Sequence, residues 1–415
     1  NDGILPLSET DEIAFIGKFA KKPRFQGGGS SHINSHKVDS AMDMVAGMAN
    51  ITYAQGYDDA EDVIDEKLIA EAVEAAKKAK TAVIFAGLPD AFESEGFDRS
   101  HMGMPNCQNE LINRVAAVQP NTIVVLHNGS PVEMPWADQV KGIVEAYLSG
   151  QAVGAAVVDI LFGKVNPSAK LPETFPYKLE DNPSYLYYLG EGDKVEYREG
   201  VFVGYRYYDT KKMDVRFPFG YGLSYTTFAY SNLKLSAAQI KDTDTLTVSV
   251  DVTNTGSMAG KEVVQLYLNP PYTDLDREMK IEKPTATLIA FAKTGLLKPG
   301  ESTQLVLRFG RDEMASYCYT RDNGDGTTGC YILEEGQYVL SLRRNSHEVI
   351  ETTNWHNSQT IWYDQSNPRP SEIKMQAAMD DDGTLLDVPE RAEADTEAGF
   401  IAATNLFPYM NEYMN

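Results

Sequence analysis

The sequence predicts two folded regions, an α/β domain with a mostly parallel sheet and then an all-β sandwich. Between residues 11 and 165, nearly continuous apolar runs alternate with helical patterns, as in a parallel sheet covered on both faces. From about residue 217 the pattern changes to apolar–polar alternation interrupted by turn sequences, which is typical of a β-sandwich. We therefore expect domains at residues 1–215 and 216–357, and an acidic linker or tail at residues 358–415.

The elements of the first region follow from its apolar runs. Buried strands are predicted at Glu12–Lys18, Thr81–Leu88, Thr122–Asn128 and Lys141–Leu148. Helices, with apolar residues at helical spacing, are predicted at Lys67–Lys80, Asn109–Val118 and Ala152–Gly163. In such sheets ligands bind beyond the carboxyl ends of the strands, so a site is expected in the segments that follow these strands.

The second region contains runs that alternate apolar and polar residues. Strands are predicted at Thr245–Gly256, Lys261–Pro270, Ser302–Phe309 and Gln337–Arg344. Before them, residues 177–220 are rich in tyrosine, which suggests a packing seam between the two domains. The chain has three cysteines, Cys107, Cys318 and Cys330. The last two bracket a predicted hairpin, and we expect no bridge there because so sparse a set does not form a disulfide framework.

The composition limits the classes of partner. The net charge is −23 and the pI is near 4.7, and so acidic a surface repels phosphate backbones and anionic lipid. We expect no nucleic-acid partner and no membrane partner, since no apolar run approaches the roughly 18 residues of a membrane span. Self-association is left open. The chain begins at Asn1 with no signal-peptide pattern, so we expect a piece of a longer protein, and the few cysteines favour a bacterial cytoplasmic location.

Several kinds of chemistry fit the sequence poorly. The loop RFQGGGSSHINSH, residues 24–36, lacks the lysine of a phosphate loop and the last glycine of a dinucleotide fingerprint. Its small residues instead allow the backbone to approach a ligand or a neighbouring domain. No G-x-S-x-G nucleophile elbow occurs, and His32 and His36 have no nearby acid or cysteine to complete a metal site. Cys107 lies beside a helix start, where a thiol can be activated, although a packed thiol is more common.

The stretch FESEGFDRSHMGMPNCQ, residues 92–108, follows a predicted buried strand directly. It contains four ionisable side chains close together: Glu93, Glu95, Asp98 and Arg99. A general acid must be neutral at the working pH, and burial or neighbouring negative charge can raise its pKa. Arg99 is expected to hold Asp98 ionised as a structural pair. A glycosidase needs two carboxylates, of which this stretch can supply one, with the other facing it from a rigid scaffold.

Several segments of the first 230 residues resemble glycoside hydrolase family 3, the β-glucosidase family. In chain order they are NDGILPL, RFQGGGSS, ESEGFDR with MPNCQNELI, VVLHNGSPVEMPW, YLSGQAVGAAVVDILFGKVNPSAKLPETFP, REGVFVGYRYYD and FPFGYGLSYTTF. The later segment IEKPTATLIAFAKTGLLKPGES resembles the family's fibronectin type III-like domain. The shared order makes the resemblance specific. Ala169 replaces a usual glycine, which should affect only a turn.

The resemblance implies a two-part active site. In the family, a (β/α)8 barrel carries a nucleophilic aspartate in a Ser-Asp-Trp motif, and an α/β sandwich domain supplies the general acid/base glutamate. Within ESEGFDR this glutamate maps onto Glu95, directly before a glycine, and Glu93 is its rival. Other residues are expected to bind substrate or support the site: Glu93, Asp98, Arg99, Gly28 and Ser30. The resemblance implies no metal and no organic cofactor.

This sequence contains neither eight strand–helix units nor Ser-Asp-Trp. It resembles half of a retaining β-glucosidase, with a β-glucoside or oligosaccharide as substrate and a barrel half, on the same or a separate chain, as partner. The alternatives are a β-xyloside or N-acetyl-β-glucosaminide substrate, or a non-catalytic module that binds sugar or protein. The barrel either precedes this half or, in a permuted order, follows it. The tail, with its MDDDG and LFPYMNEYM segments, favours the permuted order.

Overall fold

The computed structural model describes residues 3–48, 50–96, 98–188, 190–236 and 245–371. A five-stranded parallel sheet, in the order β2-β1-β3-β4-β5, forms the centre of the first domain. Its strands are β1 (Ile13–Ile16), β2 (Ile51–Ala54), β3 (Thr81–Gly87), β4 (Thr122–His127) and β5 (Gly142–Glu145). The helices of this part of the chain are α1 (Ala41–Met44), α2 (Glu66–Lys78), α3 (Asn106–Ala116), α4 (Val153–Leu161) and α5 (Tyr205–Lys211).

The sheet is buried on both faces because its central strands are almost wholly apolar. Every residue of β3 is buried, and the strand pairs with β1 on one side and β4 on the other. One face packs against α2 and α3 through residues such as Ile69 and Leu111. The other face packs against α1 and α4 through residues such as Ala41 and Val157. The predicted parallel α/β domain is confirmed.

The predicted elements of this domain all occur, with small shifts at their ends. The side chain of Asp65 caps α2 by accepting hydrogen bonds from the backbone N–H groups of Lys67 and Leu68, at 2.9 and 3.1 Å. The sequence prediction missed β2, α1 and α5. β2 is a partly exposed edge strand of four residues, and α1 has only one turn, so neither leaves a long apolar pattern.

The second domain is built from antiparallel sheets. Its strands are β6 (Phe228–Leu235), β7 (Thr245–Asn254), β8 (Val263–Asn269), β9 (Thr287–Lys293), β10 (Ser302–Gly310), β11 (Ser316–Asp322), β12 (Thr328–Leu333), β13 (Gly336–Arg343), β14 (Val349–Asn357) and β15 (Ile361–Tyr363). A short helix, α6 (Asp274–Met279), follows β8. The sheet β10-β7-β6 packs on the sheet β14-β13-β8-β9 through one shared core, while β11, β12 and β15 form a third sheet. The predicted β-sandwich is confirmed.

Alternation in the sequence becomes alternation of burial in this domain. Along β7 the residues Leu246, Val248, Val250 and Val252 are fully buried, while those between them are partly exposed. The predicted hairpin at the cysteines is also present, since Cys318 lies opposite Cys330 in the β11–β12 pair. Both of these cysteines are buried free thiols.

The tyrosine-rich segment forms a domain seam only in its last part. The ring of Tyr205 stacks on Phe219 with centroids 4.5 Å apart, and its hydroxyl accepts a hydrogen bond from the backbone of Leu288 at 2.8 Å. Nearby, the His347 ring lies 3.1 Å from the Asp209 carboxylate across the same junction. The earlier tyrosines of the segment are exposed, so the predicted seam is wrong for them.

Two further predictions concern the acidic tail and membrane-spanning segments. The acidic tail, with its MDDDG and LFPYMNEYM segments, lies beyond residue 371 and outside the described residues. Among the described residues, no helix combines the length and the apolar character that a membrane span requires.

Candidate active site

Three loops meet at the carboxyl edge of the parallel sheet. They are the glycine-rich loop at residues 24–31, the loop at residues 88–100 that follows β3, and residues 128–131 that follow β4. Gly87, the last residue of β3, has φ 137°, and a Cβ on it would lie 2.2 Å from the carbonyl oxygen of His127. Only glycine allows β3 and β4 to approach this closely at the point where the loops leave the sheet.

Glu95 is exposed but held in place by the glycine-rich loop. Its Oε2 accepts hydrogen bonds from the backbone N–H and the hydroxyl of Ser30, each at 2.5 Å. Gly29 allows this approach, since it has φ +85° and a Cβ on it would lie 2.4 Å from the Cβ of Glu95. The bonds from the Ser30 side chain and backbone lower the pKa of Glu95, because they stabilise the ionised form.

Glu93 is half-buried and engaged at both oxygens. It accepts hydrogen bonds from Arg24 at 2.6 Å, from the backbone N–H of Gly129 at 2.7 Å and from the hydroxyl of Ser130. Burial opposes ionisation of Glu93, but the bonds from Ser130, Arg24 and Gly129 outweigh it and lower its pKa. A carboxylate held in this way stabilises the loops and is poorly suited to give and take protons.

Arg24 joins the loops and was missing from the residues predicted by the sequence. Its guanidinium donates to the backbone oxygens of Leu88 and Glu93 at 2.8 and 2.9 Å, in addition to the Glu93 side chain. It also contacts Asp90 at 3.1 Å. The sequence carried one signal, since no acid lies close to Arg24 along the chain and a carboxylate partner has to come from elsewhere in the fold.

The other predicted residues lie around the same loops. Gly28 packs on the Glu95 loop, since a Cβ on it would lie 2.5 Å from the hydroxyl of Ser94. The expected pairing of Asp98 with Arg99 is wrong. Asp98 accepts a hydrogen bond from the Tyr188 hydroxyl at 2.5 Å. Arg99 instead donates to the hydroxyl of Ser130 at 2.7 Å, because the loop turns the two side chains toward different partners.

A second group of carboxyls lies deeper at the same edge of the sheet. Burial raises the pKa of Glu145, at the end of β5, to about 8, and its oxygens accept from the backbone of Tyr147 and the amide of Asn128. The hydroxyl of Tyr147 donates to Glu173 at 3.0 Å. Tyr147 has φ 49°, a strained value for a residue with a side chain. Sequence reasoning missed this group because its members come from separate segments.

Two cavities adjoin these loops. The larger, of ≈ 630 Å³, has a lining that includes Arg99, Ser130, Glu173, Val203 and Tyr205. The smaller, of ≈ 330 Å³, is lined mainly by the chain around the glycine-rich loop. Its polar lining residues include Lys22, Arg24, Gln26, His32, Asp59 and Asp90. Such side chains can form hydrogen bonds with hydroxyl groups.

The geometry bears on two alternative chemistries, those of the Cys107 thiol and of His32. Burial, together with the neighbouring Asp62, raises the pKa of Cys107 to about 12, so this thiol is packed and not activated. Within the described ranges, no group of three or more His, Cys, Asp and Glu side chains is arranged to hold a metal ion. Instead, His32 lies 3.0 Å from the amide nitrogen of Gln26.

The structure joins a parallel α/β domain to a fibronectin-like sandwich, and a glutamate lies at the carboxyl edge of the parallel sheet. This pair of domains is found in glycoside hydrolases. Residues 1–225 match the family model described as the glycosyl hydrolase family 3 C-terminal domain. Residues 262–346 match the fibronectin type III-like domain. The chain belongs to glycoside hydrolase family 3, as the sequence resemblance implied.

Similar proteins include several glycosidases. The chain is 49% identical over 353 residues to thermostable beta-glucosidase B of Acetivibrio thermocellus, covering 84% of this chain and 45% of that protein. It is 40% identical over 363 residues to an exo-alpha-(1->6)-L-arabinopyranosidase of Bifidobacterium longum, covering 85% and 46%. The crystal structure of a family 3 beta-glucosidase of Bifidobacterium adolescentis superposes with a TM-score of 0.79 at 37% identity, covering 90% of this chain and 55% of that one. This chain thus spans about half the length of these relatives.

Proposed function

We propose that this chain supplies the general acid/base, Glu95, of a retaining β-glucosidase whose nucleophilic aspartate lies in a barrel half outside these 415 residues. The observation that carries the proposal is the contrast between the two neighbouring glutamates. Glu95 is exposed and fixed through one oxygen, Oε2, by Ser30. Glu93 is half-buried and bonded at both oxygens, which suits a structural role.

The reaction proceeds in two steps around Glu95. In the first, its carboxyl donates a proton to the glycosidic oxygen while the aspartate of the barrel attacks the sugar, forming a glycosyl-enzyme. In the second, the Glu95 carboxylate removes a proton from the water that releases the sugar. Retention of configuration requires the two carboxyls to lie about 5 Å apart, so the barrel must cover the loop that carries Glu95.

The barrel also has an electrostatic task in this proposal. In this half alone, hydrogen bonds from Ser30 lower the pKa of Glu95, whereas a general acid needs a raised pKa. A barrel docked over the loop would remove water from Glu95 and bring the negative charge of the nucleophile close to it. Both effects raise the pKa of a carboxyl, so the assembled site can hold Glu95 protonated before the first step.

The experiment is a pair of substitutions in the complete enzyme, assayed with a 2,4-dinitrophenyl β-glucoside whose leaving group needs no proton. We expect Glu95→Ala to lower kcat by about 10²- to 10⁴-fold. Azide should restore turnover and give the β-glucosyl azide, because it attacks the glycosyl-enzyme without a general base. Glu93→Gln is the matched control, with a milder loss and no azide product. Normal turnover in Glu95→Ala would refute the proposal.

The identity of the sugar, like that of the barrel partner, is part of the proposal. The relatives named beta-glucosidases make a β-D-glucoside the first candidate substrate of this protein. One relative at 40% identity is named an exo-alpha-(1->6)-L-arabinopyranosidase, so α-L-arabinopyranoside is the second candidate. Comparing kcat/KM for the 4-nitrophenyl glycosides of glucose, arabinopyranose and xylose with the complete enzyme separates these possibilities.

A further inference from the structure

The segment before α5 exposes a cluster of aromatic and aliphatic side chains. We name residues 184–188 and 190–200 the tyrosine strap. Four of its large apolar side chains are conspicuously exposed: Leu186 (78%), Tyr188 (57%), Val195 (61%) and Tyr197 (85%). A soluble surface rarely leaves such side chains together in water unless something covers them, and tyrosine is enriched at protein interfaces.

The strap is a loop with two limbs that contact each other. The backbone groups of Glu191 and Lys194 bond to each other at its tip. Arg198 on the second limb lies over the ring of Tyr187 on the first, 4.6 Å from its centroid. The apolar side chains of the two limbs are therefore held on one small structure, which is what a docking surface requires.

The strap is fastened to the candidate active site. The Tyr188 hydroxyl donates to Asp98 at 2.5 Å, and Asp98 lies three residues after Glu95 in the same loop. On its other side the strap leads into Val203 and Tyr205, which line the ≈ 630 Å³ cavity shared with Arg99. A body that covers Glu95 would therefore also meet the strap.

We propose that the tyrosine strap is a docking surface for the barrel half, and that it couples barrel docking to the Glu95 loop through the Tyr188–Asp98 bond. This inference rests on the proposed function, which requires a barrel half. Two observations favour this occupant: the chain spans only about half of its relatives, and the exposed side chains continue directly from the candidate site. Leu186 and Tyr197 become buried when the barrel docks.

The first test is oxidative footprinting of the complete enzyme and of this 415-residue chain with hydroxyl radicals. We expect Leu186 and Tyr197 to react several-fold more slowly in the complete enzyme, while Phe291, exposed to 67% on the β-sandwich, reacts equally in both. Equal reactivity of the strap in the two samples would overturn the proposal. The proposal would also be overturned if the strap became more protected as the protein concentration rose while the molecular mass doubled. That result would show that a second copy of the protein covers the strap.

The second test is the double substitution Leu186→Ser with Tyr197→Ser in the complete enzyme. We expect a lower Tm and a several-fold fall in kcat/KM, because the barrel loses apolar contacts at the strap. The matched control is Phe291→Ser with Leu296→Ser, since these side chains are comparably exposed on the other domain. If the strap variant behaves like the control, the docking surface is overturned. The proposed function is tested separately, and it stands if azide still rescues the Glu95→Ala enzyme.

Discussion

Replacing Arg24 by methionine isolates the contact that holds the loops of the site together. Arg24 has a side chain only 5% exposed and is paired with Glu93, whose side chain is 18% exposed. Methionine keeps most of the volume of the aliphatic stem but removes every donor. The Glu93 carboxylate then loses its cation, and the backbone oxygen of Leu88 loses its hydrogen bond.

The expected loss is about 3 kcal/mol in the free energy of unfolding of the α/β domain. Removing one partner of a buried ion pair costs about 3–5 kcal/mol. The lower end applies here because Glu93 keeps its hydrogen bonds from Gly129 and Ser130. The contact with Asp90 adds little, since that side chain is 67% exposed.

The assay is urea unfolding monitored through hydrogen exchange of the β3 and β4 amides. These amides report on the α/β domain alone. Arg114→Met is the matched control: Arg114 is 42% exposed and paired with Glu66 and Glu110, so we expect a loss of at most about 1 kcal/mol. Equal losses in the two variants would refute the reasoning, because they would show that burial does not decide the value of the Arg24 contacts.

The same variant predicts a direction with pH. In the wild type, the hydrogen bonds that Glu93 accepts lower its pKa in the folded state. Their contribution to stability is therefore present above the unfolded pKa of the carboxyl and is lost as the pH falls through the folded pKa. The difference in stability between wild type and Arg24→Met should therefore shrink as the solution becomes acidic.

Two further predictions concern neighbouring residues. Gly29→Ala should lower kcat of the complete enzyme, because its Cβ would meet Glu95 at 2.4 Å; Gly47→Ala, also at positive φ but with nothing within 4 Å, is the control, and equal kcat in both would contradict this. For Glu145, burial raises the pKa from 4.5 to about 8, so the folded state binds the extra proton and stability falls as the pH rises between these values. Glu145→Gln should remove this fall in stability between pH 6 and pH 8, as measured by unfolding at both pH values. A variant that loses as much stability over this range as the wild type would contradict the prediction.

Local patterns in the sequence decided much of the fold. Continuous apolar runs predicted β1, β3, β4 and β5 because a parallel sheet buried on both faces needs no polar alternation. Alternating runs predicted β7, β8, β10 and β13 for the converse reason. The edge strand β2 and the short helix α1 were missed, because few of their residues are buried and so they carry little apolar pattern.

Residues near one another in the chain predict the order of the two domains, their parallel and antiparallel sheets, and the segment that contains Glu95. The pairing of the charges depends instead on the folded arrangement of distant segments. The fold joins Arg24 to Glu93 across 69 positions and Tyr188 to Asp98 across 90. Such contacts depend on which loops leave the same edge of the sheet, and no local pattern encodes that distance.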